Sequence, residues 1–125
     1  MALKRYKADA DTTIVNAYQS DMQTRATGAN AGEADVLETF SIYARRTAAT
    51  STASGSSELS RILIKFPISD ISTDRTNSVI PASGSVSFYL RMYNAQHSKT
   101  VPRDFKLIVS AISHSWQEGV GLDLE

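Results

Sequence analysis

The sequence predicts an all-β protein, specifically an antiparallel β-sandwich, and three observations carry that expectation. Val86, Phe88, Leu90 and Met92 alternate with Ser85, Ser87, Tyr89, Arg91 and Tyr93. A period of two gathers the apolar set on one face of an extended strand and scatters it around a helix. Shorter runs of the same kind recur along the chain, separated by long polar connections. Little of the sequence carries the 3.6-residue period of an amphipathic helix. Several short strands joined by long polar loops favour connections that cross between sheets over a simple meander.

Taken in chain order, the first strand is expected over 11–18, where Thr12, Thr13, Ile14 and Val15 supply β-branched side chains. Residues 19–35 are small and polar and read as a long surface connection. The run 36–43 can be a strand in either of two registers. A helix starting near Gly32-Glu33-Ala34-Asp35 competes with it, and Thr39, Phe40, Ile42 and Tyr43 argue against that helix. Residues 47–57 contain only Thr, Ala, Ser and Gly, so they offer no apolar anchor and read as a surface loop. Ile62, Ile64 and Phe66 alternate with Arg61, Leu63 and Lys65 up to Pro67, which lacks the donor a ladder needs and suits a strand end. Residues 69–84, with Asp70, Asp74, Asn77, Pro81 and Gly84, read as turns. The last strand is expected over 105–112, where Phe105, Leu107 and Val109 form one face. Ile108 and Ile112 make its other face partly apolar. The expected inner face joins these three to Ile62, Ile64, Phe66, Val86, Phe88, Leu90 and Met92. No repeat and no change of composition divides the chain, so 1–125 reads as a single domain.

Composition narrows the function classes. The formal net charge is zero, so no field recommends nucleic acid or an anionic membrane as partner. A chain near its pI of 6.7 also lacks the self-repulsion that keeps proteins apart, which favours life in an assembly. Cysteine is absent, which removes disulfides, thiolate nucleophiles and cysteine-based zinc sites. Basic residues at Lys4, Arg5 and Lys7 are followed by Ala8-Asp9-Ala10-Asp11 and not by an apolar run, so no secretory signal is expected. No segment is long and apolar enough to suggest a membrane span.

Beyond this, the order of short motifs resembles the DNRLRE-type β-sandwich domains, which are similar to jelly-roll carbohydrate-binding modules. The matching pieces are Ala10-Asp11-Thr12-Thr13-Ile14, Asn30-Ala31-Gly32 before Leu37, Arg61-Ile62-Leu63-Ile64-Lys65-Phe66, Ile68-Ser69, Leu90-Arg91-Met92-Tyr93 and Trp116-Gln117-Glu118-Gly119. The resemblance implies an antiparallel β-sandwich of jelly-roll type with long polar loops, serving as an accessory or surface-structural module. It marks Asp11, Asn30, Trp116 and Gly119 as motif positions and Arg61, Arg91 and Glu118 as a charge network, in which Glu118 is expected to accept from one of the two arginines. Two departures stand out: a longer loop at 44–57, and no final strand after Trp116-Gln117-Glu118-Gly119. Either the sequence is a fragment, truncated at its C-terminus, or another subunit completes the sheet. Within the resemblance, Ala26-Thr27-Gly28-Ala29-Asn30 and Ser60-Arg61-Ile62-Leu63-Ile64-Lys65-Phe66-Pro67 look most like structural proteins of marine tailed bacteriophages.

Few residues suggest chemistry. Ser113-His114-Ser115 sets a hydroxyl beside an imidazole, yet neighbours on an extended chain point to opposite sides, and no nucleophile elbow accompanies them. His97 lies in a polar turn. No catalytic residue is assigned. Asp9 and Asp11 share one face of an extended segment and are weak candidates for a structural calcium ion, against the plainer reading of a solvated edge. No other cofactor is expected. Tyr89, Arg91 and Tyr93 fall on one face, with neighbours about 7 Å apart. Such a stripe suits a glycan, or equally a protein interface, where tyrosine is also enriched. The expectation is a non-enzymatic virion component, a capsid decoration or head or tail surface protein, with other virion proteins and further copies of itself as partners. A glycan-binding adhesion module is the alternative.

Overall fold

A computed structural model of the chain describes residues 3–46, 54–81, 84–98 and 104–122. Its regular structure is predominantly β: three strands of six, six and twelve residues against one helix of nine. Strand β1 spans Ala10–Val15, β2 spans Ser41–Arg46 and β3 spans Ser54–Lys65. They form one antiparallel sheet in the order β1-β3-β2. The long β3 serves two partners with its two halves. Ala10 faces Lys65 and Val15 faces Ser60 on one edge, while Ser41 faces Leu59 and Arg46 faces Ser54 on the other.

The crossover from one edge to the other falls at Leu59 and Ser60, and side chains hold it. The Asn16 amide N–H donates to the Leu59 carbonyl at 3.3 Å, and the Asn16 side chain donates to the Ser57 carbonyl at 3.3 Å, so Asn16 extends the β1 edge past its last ladder residue. The Ser60 hydroxyl accepts from the Phe40 amide at 2.6 Å and donates to the Glu38 carbonyl at 2.9 Å, while the Thr13 hydroxyl accepts from the Glu38 amide at 2.9 Å. These bonds lay residues 38–40 across the sheet. They satisfy backbone groups that an irregular segment would otherwise leave unpaired.

Three sequence expectations change here. The strand expected at 36–43 begins at Ser41 and runs to Arg46. The loop expected at 47–57 is strand from Ser54 onward, because polar Ser and Gly residues are held by the β2 ladder and need no apolar anchor; residues 47–53 lie outside the described residues. The turn-rich stretch after Pro67 is a helix, α1, spanning Ile68–Thr76. Pro67 enters at φ −71, a value already close to helical, with Asp70 in the first turn and Arg75 in the last, complementing the helix dipole. No residue of α1 is buried, so it lacks the apolar stripe by which sequence pattern reveals a helix.

The larger difference concerns the two most regular apolar patterns. Residues 86–97 and 105–113 form no strand, and among the described residues they make no backbone hydrogen bond to another segment. The inner-face set is accordingly open: Phe88, Leu90, Met92, Phe105, Leu107 and Val109 are exposed, while Ile62, Ile64, Phe66 and Val86 are half-buried. The period survives in the exposure. Leu90 and Met92 are 46% and 47% exposed against 87% and 77% for Tyr89 and Tyr93. A strand exists only when paired, and alternation specifies a face without supplying the partner edge. Among the described residues, the buried apolar side chains are those of Ala31 and Ile80, and Thr12 and Thr13 are the buried polar ones.

Candidate functional site

Tyr89, Arg91 and Tyr93 are exposed together on the extended segment. The Arg91 guanidinium sits 4.8 Å from the centroid of the Tyr93 ring. This contact, between residues two apart, requires both side chains on the same face of an extended backbone. A guanidinium over an aromatic face gains about 0.5–1 kcal/mol at an exposed site and holds the ring in place. Tyr89, two residues before Arg91, is exposed beside this pair in sequence, and Phe88, Leu90 and Met92 alternate with the three polar-edged residues. The Arg91–Tyr93 pair can stack on a sugar ring or pack against another protein.

The structure corrects the expected charge network. Glu118 does not pair with Arg61 or Arg91: Arg61 is exposed, Arg91 lies on Tyr93, and the Glu118 carboxylate accepts from the Asp11 amide N–H at 2.7 Å. That bond joins residues 107 apart and fastens the segment near residue 118 to the start of β1. Buried backbone donors are costly to leave unpaired, whereas an exposed arginine is satisfied by water, so the carboxylate goes where it is needed more.

Asn30 and Gly119 belong to the same fastening. The Asn30 side-chain oxygen accepts from the Gly32 amide at 3.0 Å and from the Gly121 amide at 3.1 Å, and the Glu33 amide donates to the Gly121 carbonyl at 2.8 Å. Gly119 has φ +87, and a Cβ there would stand 2.5 Å from the Asn30 amide atoms. At Gly32 a Cβ would collide with the Glu118 carbonyl. Glycine is the residue that permits both the left-handed turn and the close approach. Trp116 is half-buried just ahead of this cluster. Three of the four motif positions, Asp11, Asn30 and Gly119, thus meet at one place through Glu118 and Asn30.

A second cluster escaped the sequence reading. Asp74 on α1 accepts from the Tyr6 hydroxyl at 2.7 Å and pairs with the Lys4 ammonium at 2.9 Å. An open groove of about 510 Å³ runs beside it between residues 4–7 and α1. Partial burial and the hydrogen bond to Asp74 push the Tyr6 phenol from 10.0 up to about 12. The Tyr6 bond, with Lys4, holds the Asp74 carboxyl below its ordinary value. Each group is already satisfied by another, so the trio docks the N-terminal segment on α1. Nothing in the sequence pointed to this cluster, because α1, which carries Asp74, reads there as turns.

The remaining candidates are not gathered. Ser113, His114 and Ser115 are exposed, as is His97. Asp9 is exposed and Asp11 half-buried, and among the described residues no three acidic, histidine or cysteine side chains come together in a group able to hold a metal ion. No helix among the described residues is long and apolar enough to cross a membrane. No family model, curated protein or solved structure matches this chain.

Proposed function

We propose that this chain is a non-enzymatic structural component of a tailed phage particle, decorating the capsid or the surface of head or tail through protein–protein assembly. The observation that carries this reading is the pair of extended segments, 86–97 and 105–113, whose apolar side chains lie open to solvent. Exposed apolar surface of this extent is a docking surface in a soluble chain. A formal net charge of zero sets no long-range repulsion against close assembly. The likeness of the Asp11, Asn30, Arg61 and Trp116 motifs to DNRLRE-type domains supports a surface module and extends the observed sheet to one layer of a jelly-roll β-sandwich.

Mass spectrometry of purified particles tests the reading. About one copy per major capsid subunit indicates decoration, and a few copies per particle indicate a tail or fibre part. Absence from the particle refutes it. A second reading, a glycan-binding adhesion module, is favoured by the Arg91–Tyr93 stack beside the exposed Tyr89. On a glycan array it requires binding that Tyr93→Ala abolishes.

A further inference from the structure

We propose that residues 116–121 form a strap that opens and closes as one unit on the outer edge of β1, controlling access to that edge while the three-stranded sheet stays paired. This goes beyond the assembly reading and does not depend on it.

In an antiparallel ladder the backbone groups of alternate residues face the partner strand, and those between them face away. The Asn16 amide donates to the Leu59 carbonyl, so Ile14 and Thr12, two and four residues earlier, also face β3. Asp11 and Thr13 then face the open side of β1. The Glu118 carboxylate accepts from the Asp11 amide on that side, where the carbonyl of a further strand would otherwise stand. Gly32 is buried under the same segment: a Cβ there would lie 2.0 Å from the Glu118 carbonyl oxygen and 2.7 Å from that of Gly119.

Little holds the strap down. Among the described residues, three hydrogen bonds join it to the rest of the chain. Glu118 accepts from the Asp11 amide, the Gly121 amide donates to the Asn30 side chain, and the Glu33 amide donates to the Gly121 carbonyl. Trp116, Glu118 and Gly121 are half-buried, and no residue of the strap is buried. Residues 104–115, which lead into it, are exposed throughout and make no backbone hydrogen bond to another segment among the described residues. No contact of the approach has to break for the strap to lift. By contrast, β1 pairs with β3 over six residues and buries Thr12 and Thr13. Segments with few buried contacts open at a lower free energy than a paired core, and they do so as contiguous units. Glu118 and Gly121 are joined by the left-handed turn at Gly119, φ +87, so displacing one carries the other with it.

Two glycines allow the strap to be opened from either side. A Cβ at Gly32 strikes the Glu118 carbonyl, and one at Gly121 would stand 2.4 Å from the Asn30 carbonyl oxygen. Neither glycine has a positive φ, so alanine suits the local backbone and only the close approach is lost.

Native-state hydrogen exchange on the full chain, read by NMR, tests the proposal. In the unaltered protein the Asp11, Glu33 and Gly121 amides should share one protection factor, roughly tenfold or more below that of Thr12 and Ile14. Gly32→Ala and Gly121→Ala should each remove the protection of the Asp11 and Glu33 amides and leave that of Thr12 and Ile14 unchanged. Three unequal protection factors in the unaltered protein would mean that the bonds break singly. Protection at Asp11 equal to that at Thr12 would mean that the strap opens only with the sheet. Either result overturns the proposal. So does retained Asp11 protection in both alanine variants, or loss of Thr12 and Ile14 protection in both, which would make the strap part of the sheet.

Discussion

Replacing Glu118 with alanine probes the bond that closes the described chain on itself. The carboxylate accepts from the Asp11 amide at 2.7 Å, a length typical of charge-assisted hydrogen bonds, and both residues are half-buried. Hydrogen bonds to charged groups contribute about 1.5–3 kcal/mol, and Glu118→Ala also leaves the Asp11 donor without a partner. With a urea slope of roughly 1–3 kcal/mol per molar, a loss near 2 kcal/mol lowers the unfolding midpoint by about 1 M. Trp116, the sole tryptophan and two residues away, reports the transition by fluorescence. Glu118→Gln keeps an acceptor but loses the charge, and since charged bonds are about twice as strong as neutral ones, roughly half the loss is expected. Arg61→Ala and Arg91→Ala should leave the midpoint within about 0.5 kcal/mol of the parent, as exposed charges do. An unchanged midpoint in Glu118→Ala would show that the bond to Asp11 contributes nothing to stability. A loss in Arg61→Ala or Arg91→Ala matching that of Glu118→Ala would restore the arginine pairing that the geometry replaces.

The neighbouring fastening gives a second test: Gly119→Ala combines a left-handed φ, costing about 1–2 kcal/mol, with a clash against Asn30. Asn30→Ala forfeits two hydrogen bonds, about 1–3 kcal/mol together. The double variant in urea should lose less than the sum, because Asn30→Ala removes the obstruction; strict additivity would mean the two do not touch. Tyrosine absorbance titration should show one of the five tyrosines ionising near pH 12, and Asp74→Asn should bring it back toward 10.0. Because the folded state holds the Tyr6 proton more tightly than the unfolded, this contribution is complete below pH 10 and is lost as pH rises from 10.0 to about 12. Asp74 works in the opposite sense: its folded value is depressed, so its contribution is present above the unfolded value of 3.8 and fades as pH falls below it. A Tyr6 that ionises with the others would dissolve both statements.

The β character, the central apolar strand and the place of β1 were readable from the residues alone. Each rests on side-chain type and a two-residue period, which are local properties. Thr12 to Val15 favour an extended backbone wherever they lie, and Ile62 and Ile64 mark one face of β3 by their spacing. Asp11, Asn30 and Gly119 were singled out only through the resemblance, which carries nothing of the way they meet. Partnership, by contrast, emerged with the folded chain. Glu118 could be assigned a charge from sequence, but its acceptance from the Asp11 amide depends on backbone brought across 107 residues. Ser54 to Ser57 look like a loop until β2 offers them a ladder, and α1, which has no apolar stripe, is held through the polar contacts of Tyr6 and Lys4 with Asp74. The strongest pattern of all, Val86 to Met92, specified a face and left its partner undetermined. A hydrogen-bonded edge is a property of two strands, and one strand's alternation encodes only its own half.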